Sequence, residues 1–112
     1  MAVPRAVPTA LAESASDAAQ FVIVEAFYRH GETSLRVCGS ELELRERLVG
    51  FLRESDRYGQ QAEWDPSAAR SSTEALVAEA LRVGRDLLDR GMDWGVVGVV
   101  RVDGRVGRVY SG

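Results

Sequence analysis

The fold turns on Asp93–Tyr110, DWGVVGVVRVDGRVGRVY. Valine-rich runs flank Asp103-Gly104, and Asp-Gly between such runs is a strong short-range hairpin signal. The stretch predicts two antiparallel strands, Trp94–Val102 and Arg105–Tyr110. A two-residue turn at Asp103-Gly104 pairs Gly98 with Val109 and Val100 with Gly107. It also sets Arg101 beside Val106 and Val99 beside Arg108, which mixes charge and apolar groups on one face. A three-residue turn with a bulge instead pairs Val102 with Val106 and turns the later residues over. Both registers stay open at this level.

The glycines of this region, Gly91, Gly95, Gly98, Gly104, Gly107 and Gly112, do not make a phosphate cradle. A P-loop needs a lysine after its glycines, and the chain has no lysine. A dinucleotide loop runs from strand through glycines into a helix, whereas these glycines lie within strands. They predict close approach of the sheet to a helix, with Gly98 and Gly107 leaving room near Gly84.

A second hairpin is predicted ahead of the helices, from Phe21–Tyr28 (FVIVEAFY) and Thr33–Cys38 (TSLRVC). A two-residue turn at His30-Gly31 sets Arg29 opposite Glu32 and Glu25 opposite Arg36, two favourable cross-strand charge pairs. It places Val22, Val24, Ala26, Leu35 and Val37 on one face. Phe21, Ile23, Glu25, Phe27, Ser34 and Arg36 take the other. Phe21, Ile23 and Phe27 are large and apolar for a charged face, so that face is expected to be covered by the N-terminal tail or by another chain.

Between the hairpins lie two amphipathic helices. Ser40-Glu41-Leu42-Glu43 is a capping-box pattern, and a helix follows to about Glu54. Its stripe is Leu44, Leu48, Phe51 and Leu52, with Leu42 and Val49 at the margin. Ser71-Ser72-Thr73-Glu74 repeats the capping pattern, so the second helix starts no later than Ser71, with a start at Asp65 also open. Leu76, Val77, Ala80, Leu81, Gly84, Leu87 and Leu88 share its apolar face, and Gly91 is its expected C-cap. The order β-β-α-α-β-β predicts a two-layer α+β domain over residues 19–112: a four-stranded, largely antiparallel sheet with two helices packed on one face. The first and last elements are expected as neighbours in the middle, with Thr33–Cys38 at an edge. Residues 1–18, rich in Ala, Ser and Pro, read as a flexible tail.

Composition narrows the function. The chain has 112 residues and a formal net charge of -3, so no uniform positive field is offered to a phosphate backbone, and nucleic-acid binding is disfavoured. No apolar run has the length of a membrane span, and the first residues lack the apolar core of a signal peptide; a cytoplasmic protein is expected. The lone Cys38 and lone His30 exclude an intrachain disulfide and a cysteine-cluster metal site. In the expected hairpin those two residues lie at opposite ends, roughly 20 Å apart, too far for a nucleophile–base pair. No catalytic residue, metal ligand or cofactor is assigned, and a non-enzymatic role is favoured.

Three groups of residues are candidates for meeting a partner. Tyr58, Trp64 and Asp65 share an irregular segment, 55–70, where an exposed Trp and Tyr would suit an interface anchor; alternatively Trp64 folds back as a lid on the core. Phe21, Ile23 and Phe27 form the apolar sheet face. Arg101, Arg105 and Arg108 give the last hairpin a positive patch. The expectation is a small acidic interaction module that binds another protein, itself as a homodimer, or both. An inhibitor of the immunity or antitoxin kind is the analogous job, by fold-level analogy alone. The alternative is a small-ligand binder or enzyme with its site between the helices and the 55–70 loop, using Glu63, Asp65 or Tyr58.

Overall fold

The computed structural model describes residues 20–27, 31–57, 63–92 and 94–110. The expected tail at 1–18 lies outside them, as do Tyr58, Arg29 and His30. The elements are β1 (Gln20–Phe27), β2 (Glu32–Cys38), α1 (Glu41–Arg57), a short 3-10 helix (Pro66–Arg70), α2 (Thr73–Asp89), β3 (Trp94–Asp103) and β4 (Val106–Val109). The strands form one antiparallel sheet in the order β2-β1-β3-β4, and the fold is the expected α+β arrangement. As expected, β2 is an edge. The neighbour of β1 in the middle is β3, however, and the last strand forms the opposite edge. No described helix is long and apolar enough to cross a membrane.

Local sequence explains where the helices begin. The Ser40 hydroxyl accepts the Glu43 N–H at 3.1 Å, and the Glu43 carboxylate reaches back to the Gly39 N–H at 2.9 Å. At α2 the cap is Ser72, one residue later than the capping-box spacing suggests; its hydroxyl accepts from the Ala75 N–H at 3.1 Å. Asp65 starts the separate 3-10 turn, where Pro66 needs no amide partner.

The main correction concerns the faces of the sheet. Phe21, Ile23, Val96, Val99 and Cys38 are buried with Leu44, Leu48, Phe51 and Leu52 of α1 and with Leu76, Val77, Ala80, Val83 and Leu87 of α2. The face holding Phe21, Ile23 and Phe27 is therefore covered by the chain's own helices. It is the other face, with Val22, Val24, Ala26, Leu35 and Val37, that lies open. The apolar stripes of two helices need large side chains to pack against, and Phe21 and Ile23 supply them better than valines do.

Both hairpins keep the expected alternation but shift by two residues. In the first, Phe27 pairs with Glu32, Glu25 with Ser34 and Ile23 with Arg36. Glu25 and Arg36 still meet, as a diagonal ion pair at 3.5 Å. In the last, Val100 pairs with Val109, Arg101 with Arg108 and Val102 with Gly107, so Gly104 and Arg105 form the turn. Gly104 has φ +62°, a conformation that L side chains rarely adopt. Neither expected register is the observed one, because that backbone requirement falls on the first turn position rather than the second.

Close helix–sheet approach occurs at Gly84, but against Gly95 and Val96 rather than Gly98 and Gly107. A Cβ on Gly84 would lie 1.9 Å from the Val96 carbonyl oxygen, and one on Gly95 would lie 2.8 Å from the Gly84 oxygen. Gly98 instead sits beside Val24 on the open face.

Candidate functional site

Two regions stand out, one on each face of the sheet. On the open face, the alternation of the four strands brings together Val22, Val24 and Ala26 from β1, Thr33, Leu35 and Val37 from β2, Val100 and Val102 from β3, and Val109 from β4. Gln20, Gly98 and Gly107 join it, and among the described residues no charged side chain interrupts it. Leu35 is 66% exposed, Val37 61% and Val109 79%. Isolated exposed apolar side chains are ordinary, but a contiguous apolar face is a mark of an interaction surface.

On the covered face, a cleft of about 380 Å³ opens between α1 and the sheet. Its floor is Ile23 and Val96, and its aromatic wall is Phe51 against Trp94, edge to face with ring centroids 4.9 Å apart. Glu25 projects into it with 7% of its surface exposed. One carboxylate oxygen accepts the Trp94 indole N–H at 3.1 Å. The other has the Arg36 Nε at 3.5 Å, close enough for an ion pair but without a hydrogen bond. The strand is irregular at this point: Val24 pairs with Gly98 and Glu25 with Val96, which leaves Val97 as an extra residue in β3. Such bulges re-aim neighbouring side chains.

The segment 63–70 is tied down. The Trp64 indole N–H donates to Asp56 at 2.7 Å, and Trp64 is half-buried against the core. The Asp65 N–H donates to Glu79 at 2.6 Å, while Arg82 donates to the same carboxylate and to the Glu63 carbonyl. The Asp65 carboxyl caps the 3-10 turn, and the Ser67 N–H holds it below the usual aspartate range. Glu79 is lowered chiefly by Arg82, and then by the Asp65 N–H. Trp64 therefore packs against the core, and Asp65 is engaged within the chain.

Arg101 and Arg108 are directly opposite each other, and Arg105 is in the turn. Arg101 donates to Asp103 at 3.2 Å, which offsets part of the positive patch. Phe21 and Ile23 are buried, Phe27 is half-buried, and Tyr58 lies outside the described residues. Cys38 is buried, and burial pushes its thiol pKa up, away from the reactive thiolate. Among the described residues, no group of three or more His, Cys, Asp or Glu is placed to hold a metal ion.

Two residues of consequence carry no motif. Glu25 is signalled only as an acid in the middle of an apolar strand. Arg45, on α1, donates to the Thr73 hydroxyl at 3.0 Å and to the carbonyls of Ala69 and Ser71 at 3.2 and 2.7 Å. It joins the start of α1 to the start of α2, where Thr73 also donates to Glu41. Comparison of the chain with protein-family models, with curated proteins and with solved structures finds no match.

Proposed function

We propose that the chain is a protein-interaction module, and that its open sheet face packs against the same face of a second copy. The observation that carries this reading is the absence of charge across the face formed by all four strands. An uncharged surface can meet itself about a two-fold axis without like-charge repulsion. Sheets stack in this way with aligned strands about 10 Å apart. The area is sufficient but modest. Four strands spaced about 4.8 Å, averaging about 25 Å in length although β4 is much shorter, present roughly 500 Å² per copy, or about 1,000 Å² in total, the lower bound for a specific interface. The dimer is therefore expected to be concentration-dependent.

Sedimentation or light scattering tests this. At about 100 μM, a concentration suited to a small interface, the expected mass is twice the 12.2 kDa of one chain. Leu35→Glu places a charge at an exposed position and is expected to give the monomer with unchanged circular dichroism. A wild-type monomer that dimerises once residues 1–18 are deleted would assign the face to the tail. A monomer with and without them would end the homodimer reading and assign the face to a different protein, as in an inhibitor or immunity-type domain.

A further inference from the structure

We propose that the outer edge of β2 pairs antiparallel with the same edge of a second copy, joining two four-stranded sheets into one of eight strands. This goes beyond the face-to-face contact. It uses backbone groups at the rim of the sheet and stands whether or not the faces stack.

The case starts from an edge without the usual guards. β2 ends the sheet order, so among the described residues one side of its backbone has no strand beside it. Its seven residues, ETSLRVC, pair with β1 in an unbroken register and include no proline. An edge of that length, without bulge or proline, presents a row of N–H and C=O groups to any strand that can line up with it. The opposite edge differs. β4 has four residues and sets Arg108 beside Arg101, so it is short and positively charged.

The charges of β2 select a second copy as the occupant. A strand paired with itself about a two-fold axis matches residues of the same parity, because the backbone groups that face outward alternate along it. Glu32 and Arg36 are the only charged residues of β2, and they lie symmetrically about Ser34. An axis through Ser34 therefore sets Glu32 opposite Arg36 of the second copy, and Arg36 opposite its Glu32. Opposite charges across an antiparallel pair are favourable. No other centre opposes both charges in this way, and one on Arg36 would oppose two arginines. Glu32 is exposed, and 49% of the Arg36 side chain is exposed, so both can reach across.

The contacts that β2 already makes are kept. The Arg36 Nε faces Glu25 at 3.5 Å, and a guanidinium carries further donors on its two terminal nitrogens for Glu32 of the second copy. On the other side of the sheet, Thr33 meets Leu35 of the second copy, and the open faces of the two copies become continuous. Leu35 and Val37, 66% and 61% exposed, lie along that seam. Only Glu32–Arg36 and their immediate neighbours overlap in this register, so the contact is small, with an expected dissociation constant on the order of 1 mM.

Amide hydrogen exchange in the full chain tests this. Alternate β2 amides point away from β1, and they are expected to exchange about twofold more slowly at about 1 mM than at about 50 μM, half the chains being paired at the higher concentration. Stacking of the open faces leaves this edge bare and does not produce the change. Outward amides of β4 are expected to exchange equally at both concentrations. Glu32→Arg is expected to abolish the slowing, and so is Arg36→Glu. An equal mixture of the two variants is expected to restore it, because each then faces its opposite charge. Glu32→Arg leaves the open face unaltered, so a face-to-face dimer is expected to survive it at about 100 μM, and the two contacts fail separately. Outward β2 amides that exchange equally fast at both concentrations overturn the edge contact, a result that needs no variant to fold. So does slowing that is independent of concentration, which would assign the edge to another segment of the same chain. So does a mixture that stays fast while both variants keep the wild-type circular dichroism.

Discussion

Adjacent residues of β1 look into two different worlds. Ile23 is 3% exposed beneath two helices, while Val22 and Val24 on either side of it belong to a face that nothing among the described residues covers with a second layer. The covered face combines large apolar side chains with a few polar groups held in place: Glu25 by Trp94, Thr73 by Arg45, Cys38 by burial. The open face is built of valine, alanine, glycine, threonine, one leucine and one glutamine, with no charge among the described residues. The difference teaches that hydrophobicity alone does not identify the core of a two-layer domain. What identifies it is which face the helix stripes pack against: Val96 and Val99 are buried there with Phe21 and Ile23, while valines of the same strands lie on the open face.

Substitution separates the two faces most sharply. Phe21→Ala is expected to cost about 3–5 kcal/mol, since Phe21 is fully packed and stacks edge to face on Tyr110 at 5.7 Å. Leu35→Ala, at 66% exposure, is expected to change monomer stability by less than about 0.5 kcal/mol. Denaturant melts of both variants at low protein concentration make the comparison; similar losses would erase the distinction between the faces.

Gly84→Ala is expected to have the next largest effect. Alanine favours a helix interior by about 1 kcal/mol over glycine, so propensity alone forecasts stabilisation. The Val96 carbonyl in the way of the new Cβ reverses the sign, with a net loss of about 1–3 kcal/mol. Thermal melting decides between them, and a raised melting temperature would show that α2 does not press on β3.

The smallest effect concerns acid. Glu43 is held below the usual glutamate range by the Gly39 N–H and then by Arg47, Glu79 chiefly by Arg82, and Asp65 by the Ser67 N–H. A lowered native value gives stability that is complete above the ordinary carboxylate range and is lost as pH falls through the native value. The melting temperature is therefore expected to decline from about pH 4 downward. Glu79→Gln is expected to flatten that decline. Among the described residues the open face carries nothing titratable, so the acid response belongs to the helix layer; an unchanged profile in Glu79→Gln would move it elsewhere.

Much of the secondary structure was legible in the chain. The period-two pattern of FVIVEAFY, the Ser40 cap and the Leu44–Leu48–Phe51–Leu52 stripe each follow from spacing within a few residues. The hairpin registers were not, because a shift of two residues preserves every face and leaves the alternation unchanged. The candidate cleft was less legible still. Glu25 was readable as an acid between apolar neighbours, but Trp94 is 69 residues away in the chain, and only strand pairing brings the two together. Arg45 looked like any other arginine of a chain whose only basic residues apart from His30 are arginines.

What the sequence determined by itself was the set of elements, their order, and the two-layer α+β class, since periodicity and capping are local. Even Asp93–Tyr110 declared itself a hairpin on local grounds. The tertiary structure alone decided which sheet face the helices cover, where Gly84 meets the sheet, and which side chains converge on Glu25. Those outcomes depend on volumes and distances between residues far apart in the chain, and local periodicity carries no information about them.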